Sequence, residues 1–181
     1  MTAGNQYSPL RFAVLFISLF LAFYYFNILF FSLTSHGNHY NAFLDEHLNY
    51  IYALRWLLLH CSALILNCFG YTTLLNNFEL LVMGHGIIQL AYSCLGLGVI
   101  SFFTAFVLAY PKPVKAKIMF LLAGIVTIEV LNIIRFVLLA LFWHKKDHVI
   151  IDHHTVFNIV IYIIISISLY FWVKSDRAVT N

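Results

Sequence analysis

The sequence predicts an all-α integral membrane protein: a bundle of five transmembrane helices, six if one poorer segment also crosses, with a short extracytoplasmic hairpin before the third span. Three observations predict it. Charge is scarce: 10 Lys and Arg and 7 Asp and Glu make only 9% of the 181 residues, against about 25% in a soluble domain. Hydrophobic residues reach 62% and mean hydropathy is +0.90, more apolar surface than so few charges can cover in water. The apolar residues also gather into runs close to the roughly 20 residues that cross a hydrocarbon core of about 30 Å. Soluble enzyme folds are excluded. The net charge of +3 is scattered and offers no surface for nucleic acid.

The runs are Phe12–Leu33, Ile51–Tyr71, Leu95–Tyr110, Ile118–Trp143 and Val156–Val173, read as one membrane-embedded domain over residues 1–181. The first is too long for a signal-peptide core and lacks an Ala-x-Ala-like exit, so it reads as a retained helix; residue 2 is Thr and the chain ends Val-Thr-Asn, which matches no lipidation signal. Lys112, Lys115 and Lys117 between the third and fourth runs mark a cytoplasmic loop, and Lys174 and Arg177 after the last run agree with it. Cys94 and the loop His144–His154 then fall on the outer face, with the N-terminus outside and the C-terminus inside. The stretch Thr72–Ser93 carries Asn76, Asn77, Glu79, His85 and Gln89 with two glycines. Such residues are costly in a lipid-facing helix, so the stretch reads as a hairpin, Phe78–Met83 and Ile87–Tyr92 turning at Gly84-His85-Gly86.

At membrane depth the informative residues are polar, because each costs free energy unless partnered. Arg135 lies in Leu131-Asn-Ile-Ile-Arg-Phe-Val, 18 residues or about 27 Å beyond Lys117, towards the outer end of its run. Asn132 is three residues earlier, where it can reach the guanidinium. Taken alone, Arg135 reads equally as a snorkelling anchor. Cys94 opens the third run in Tyr92-Ser-Cys-Leu-Gly-Leu-Gly98, and His153 and His154 open the fifth in Ile151-Asp-His-His-Thr. Three successive helix ends thus bring a thiol, a guanidinium and an imidazole to one depth. Those are the parts of covalent acyl transfer: a sulfur nucleophile, a cation for the oxyanion and a group that moves protons. The plain alternatives are a packing cysteine and a solvated helix cap. Cys61 and Cys68, seven apart in the second run, read as small buried hydrophobes. Glu129 has no catalytic assignment, and Arg55 and His60 read as interfacial or packing residues.

Together these segments resemble the exosortase/archaeosortase family of multi-span membrane proteins, which carry a Cys, an Arg and a His on three consecutive helix ends in that chain order. Ser93-Cys94-Leu95-Gly96 is similar to the family's Cys motif, Asn132-Ile-Ile-Arg135 to its Asn-x-x-Arg motif, and the His154 segment to its last motif; the short length is similar to a compact bacterial subgroup. The resemblance implies a membrane cysteine protease-transpeptidase, in the hydrolase class and needing no cofactor or metal, in the bacterial cytoplasmic (inner) membrane with its site on the extracytoplasmic side. It implies as partners exported proteins ending in a short motif, a hydrophobic helix and a basic tail, together with an acceptor nucleophile of unknown identity. By the same resemblance Cys94 is the nucleophile, Arg135 the transition-state stabiliser and His154 the acid/base, with His153 its competitor. Asn132 and Asp152 are the supporting residues, Asp152 by adjacency alone. Two positions depart from the family pattern: Leu95 follows the Cys where a small polar residue is usual, and Asn158 stands where a Gly usually follows the His.

Two other functions fit parts of the sequence. A non-enzymatic membrane subunit or transporter with a polar outer-facing cavity would spread its polar residues along whole helices, whereas here they gather at the outer ends, Glu129 excepted. The nine histidines, among them His36, His39, His47, His144 and His148, raise a haem or metal site, yet none of the spacings is a strong zinc pattern.

Overall fold

The computed structural model describes residues 8–35, 40–142 and 153–175. Six helices and one small sheet follow in the order α1 (Pro9–Thr34), α2 (Ala42–Leu48), α3 (Tyr50–Cys68), β1 (Thr73–Leu75), β2 (Glu79–Val82), β3 (Gly86–Gln89), α4 (Leu97–Ala109), α5 (Val114–Phe142) and α6 (His153–Lys174), with a 3₁₀ turn at Tyr92–Leu95 before α4. Each of the five apolar runs contains a helix, α3 stopping at Cys68, before the end of its run. Four of these helices are long and apolar enough to cross a membrane; α4 is a shorter apolar helix of 13 residues. His36, His39, His144, His148, Asp152 and Arg177 lie outside the described residues.

Helices dominate because a chain surrounded by hydrocarbon must satisfy its own backbone polar groups. Starts and stops follow local chemistry. Pro9 supplies a preset φ at the start of α1. The side chain of Asn41 caps α2 by accepting from the backbone N–H groups of Phe43 and Leu44, and α5 begins directly after Pro113.

The structure divides into two compact units, Met1–Leu54 with Leu95–Val126, and Arg55–Cys94 with Thr127–Asn181. In the first unit α1 packs antiparallel on α4 through an aromatic ladder. Phe12, Phe16 and Phe20 recur every four residues, which stacks them on one helix face. They meet Tyr110, Phe106 and Phe102 mostly edge to face, with ring centroids 5.3 to 6.1 Å apart. Each such pair is worth about 0.5–1.5 kcal/mol beyond its area. Direct ring packing of this kind matters here because lipid tails give helices no hydrophobic reason to associate. A polar link runs beside the ladder: Asn27 donates to Ser101 Oγ, and Tyr50 Oη donates to Asn27 Oδ1.

Gly124 of α5 makes room for Phe103 of α4. A Cβ built at position 124 would lie 2.1 Å from the Phe103 ring, whose residue is 1% exposed. Closeness of this kind is what glycine contributes between membrane helices.

In the second unit the stretch before the 3₁₀ turn is a three-stranded antiparallel sheet in the order β1-β2-β3. The expected hairpin is there as β2 and β3, turning through Met83-Gly84-His85 with Gly84 at φ +84 and Gly86 at φ +141, values that favour glycine. Strand β1 is an addition that the residue pattern did not announce. Leu80 and Val82 of β2 are buried, while Leu74 and Ile87 stand exposed on the opposite face. The two other cysteines differ from expectation: Cys61 is half-buried, and Cys68, at the end of α3, is exposed. Arg55 is buried and stacks over the Phe78 ring, 4.6 Å from its centroid, and His60 Nδ1 donates to the Trp56 carbonyl while the ring stacks on its indole; both are packing residues.

The Phe103–Gly124 contact makes a direct prediction. Gly124→Ala should lower stability by about 1–3 kcal/mol, the usual cost of overpacking. Thermal unfolding in detergent would show it, and Phe103→Leu in the same chain should restore much of the loss.

Candidate active site

Arg135 sits on α5, an unbroken helix from Val114 to Phe142, so the 18 residues separating it from Lys117 rise about 27 Å. Its residue is only 2% exposed. A snorkelling arginine would hold its head in a polar phase; this one is enclosed, and its hydrogen-bonding groups have partners from two other elements. Nη2 donates to the backbone carbonyl of Cys94 at 3.2 Å, and Nη1 donates to Asn158 Oδ1 of α6, also at 3.2 Å. The guanidinium further lies close enough to the Cys94 thiol to interact with it. Nε is buried with no hydrogen-bond partner among the described residues.

Cys94 belongs to the 3₁₀ turn Tyr92–Leu95, its own N–H donating to the Ala91 carbonyl. The residue is 3% exposed, with the Ser93 hydroxyl 4.0 Å from its sulfur. Gly96, at φ +70, separates this turn from α4. In that left-handed conformation a Cβ would crowd the following carbonyl, so glycine lets the chain change direction between the sulfur-bearing turn and the helix.

Helix α6 begins at His153. Position 154 precedes Asn158 by four residues and so falls about 40° from it around the helix axis, while position 153 falls about 140° away. The face of α6 that meets Arg135 is therefore the face of position 154. Asp152 lies outside the described residues.

Of the two expected supporting residues, Asn132 and Asp152, the first is placed differently from expectation. Asn132 is 1% exposed, yet neither its side-chain oxygen nor its nitrogen has a hydrogen-bond partner among the described residues, and the same is true of both carboxylate oxygens of Glu129 one turn earlier. Asn132 does not hold the guanidinium; Asn158 does. Sequence reasoning noted Asn158 only as a departure from a family pattern, although a lone amide in the apolar stretch Phe157–Ile161 was the signal that would have found it. Among the described residues, no three His, Cys, Asp or Glu side chains come together as a metal set would require.

One guanidinium on α5 thus links a thiol-bearing turn to the early part of α6, in a unit whose sequence order is Cys, Arg, then His. Against known families, residues 11–172 match the model of the transmembrane exosortases (EpsH type). The chain belongs to the transmembrane exosortase family. It is accordingly a multi-pass membrane protein of mostly helical fold. No curated protein and no solved structure matches it. In this exosortase Asn158 lies beside Arg135, its amide oxygen accepting from Nη1.

The difference between the two asparagines can be measured. Asn158→Ala should destabilise by about 1–3 kcal/mol, because it strands a charged donor in a buried site. Asn132→Leu should cost markedly less, since the amide it removes does not hold the guanidinium. Unfolding curves of the two variants in one detergent would decide between them.

Proposed function

We propose that this exosortase is a cysteine protease-transpeptidase of the bacterial cytoplasmic membrane, acting at its extracytoplasmic interface on exported proteins that end in a short motif, a hydrophobic helix and a basic tail. The observation that carries the reading is the pair of hydrogen bonds from Arg135 to Cys94 and to Asn158, which supports a common site for residues 41 and 23 positions apart in the chain.

In this reading Cys94 Sγ attacks the scissile carbonyl carbon, and its proton passes to His154. The carbonyl oxygen gathers negative charge, which the planar, always charged guanidinium of Arg135 stabilises. The C–N bond then breaks, and the departing amine takes the proton from His154, leaving the substrate as a thioester on Cys94 and releasing the helix and basic tail. An incoming acceptor nucleophile attacks the thioester, gives its proton to His154 and restores the thiol. Asn158 keeps the guanidinium in place by accepting from Nη1, which leaves Nε, unpartnered among the described residues, as a donor for a substrate oxygen. The low polarity of the surroundings strengthens each of these charge interactions.

The preference for His154 over His153 follows from the helix register, since only position 154 shares the Asn158 face. Lysine cannot replace Arg135, because a point charge lacks the fork that serves a backbone carbonyl and an amide oxygen at once.

The test is processing of a co-expressed exported reporter with such a tail, followed by gel shift and mass spectrometry. Cys94→Ala should abolish cleavage. Arg135→Lys should reduce it on the order of 10²–10³-fold, the scale of losing an oxyanion donor, and His154→Ala should reduce it far more than His153→Ala. Unchanged processing by the Cys94→Ala chain sinks the mechanism and leaves the non-enzymatic membrane subunit or transporter standing.

A further inference from the structure

The sheet of the second unit has an open edge, and that edge leads straight to Cys94. In the order β1-β2-β3, strand β3 has a neighbour on one side only among the described residues. The ladder tells which of its backbone groups are spent. The Leu90 N–H donates to the Phe78 carbonyl at 2.8 Å, and the register pairs Leu80 with Ile88 and Val82 with Gly86. In an antiparallel pair, alternate residues turn their N–H and C=O groups towards the neighbour. Gly86, Ile88 and Leu90 therefore face β2, and the N–H and C=O groups of Ile87 and Gln89 face outward. Both residues are exposed, Ile87 at 62%. Unpaired edge groups of this kind are a template for another strand.

Resting on the peptidase reading above, we propose that the substrate segment adjoining the scissile bond binds in extended form as a fourth strand on the free edge of β3, pairing with the backbone of Ile87 and Gln89. Continuity selects this edge over β1: Gln89 is five residues before Cys94, and the intervening Leu90–Cys94 runs through the 3₁₀ turn that Arg135 holds. An added strand fixes the substrate backbone in register with the sulfur, as β-augmentation does in peptide-binding domains. The side-chain rows on the exposed face then state a preference. Leu74, Leu81 and Ile87 lie in register across the three strands, so the row continues with an apolar substrate residue. Glu79 and Gln89 form the next-but-one row, which continues with a hydrogen-bonding residue two positions away. The required occupant is a polypeptide stretch of alternating polar and apolar character.

Two measurements on the full-length chain test this. Gln89→Pro deletes an outward N–H and leaves the pairing with β2 intact, a position where proline is tolerated. Processing of the tail-bearing reporter should fall about tenfold, the scale of one hydrogen bond, with the unfolding temperature unchanged. Where that variant fails to fold, cross-linking replaces it: Gln89→Cys in a chain with Cys61→Ser, Cys68→Ser and Cys94→Ala, probed with reporters bearing single cysteines at successive positions before the hydrophobic helix. Disulfides at every second reporter position support the added strand. Cross-links at no position, at all positions equally, or only when the cysteine is placed at Leu74→Cys instead, overturn it. Full processing by a folded Gln89→Pro chain that still requires Cys94 overturns the strand and spares the peptidase reading, whereas processing that persists in Cys94→Ala removes both.

Discussion

Arg135 is the constraint on which the second unit depends. A guanidinium at 2% exposure inside an apolar helix is affordable only with hydrogen-bond acceptors arranged around it. The acceptors come from a backbone carbonyl of the Tyr92–Leu95 turn and from an amide oxygen on α6. Neither is negatively charged. The cation is therefore held in place without being neutralised, and its charge remains to act on the thiol beside it or on an oxygen arriving from outside. A carboxylate in the place of Asn158 would hold the arginine more strongly and spend that charge.

The local features around Cys94 follow from the same requirement. The carbonyl of Cys94 accepts from the guanidinium while the sulfur lies in a short 3₁₀ turn, and α4 begins only three residues later. Gly96 in its left-handed conformation is the joint between the turn and the helix. Upstream, the sheet supplies a rigid lead into the turn, with Leu80, Val82 and Leu90 anchoring its buried side. The turn that carries Cys94 is thus tied on one side to the sheet through the chain and on another to α5 through Arg135. In the first unit, helix packing rests on other means, the ring ladder and the glycine at 124.

Much of this was legible in the chain itself, and the parts that were not share a cause. Hydropathy length alone locates the five helices, because lipid leaves the backbone no other choice. Gly84 and Gly86, with polar residues costly in lipid, disclose the β2–β3 turn. Strand β1 escaped because Thr73-Leu74-Leu75 is too short to show alternation. The guanidinium's partner was misread for a different reason: Asn132 is near Arg135 along one helix, and spacing within a helix reports local neighbours. Asn158 is its neighbour through tertiary packing, which no spacing on α5 reveals. Cys68 was read as buried from its apolar neighbours, but its place at the very end of α3 exposes it.

The brevity of α4 carries a consequence of its own. Its 13 residues cover about 20 Å, roughly two turns short of the hydrocarbon thickness. Such a deficit is met by thinning of the adjoining leaflet or by drawing the polar turn before the helix down into it. Where α4 crosses the bilayer, either adjustment brings water closer to the turn that carries Cys94.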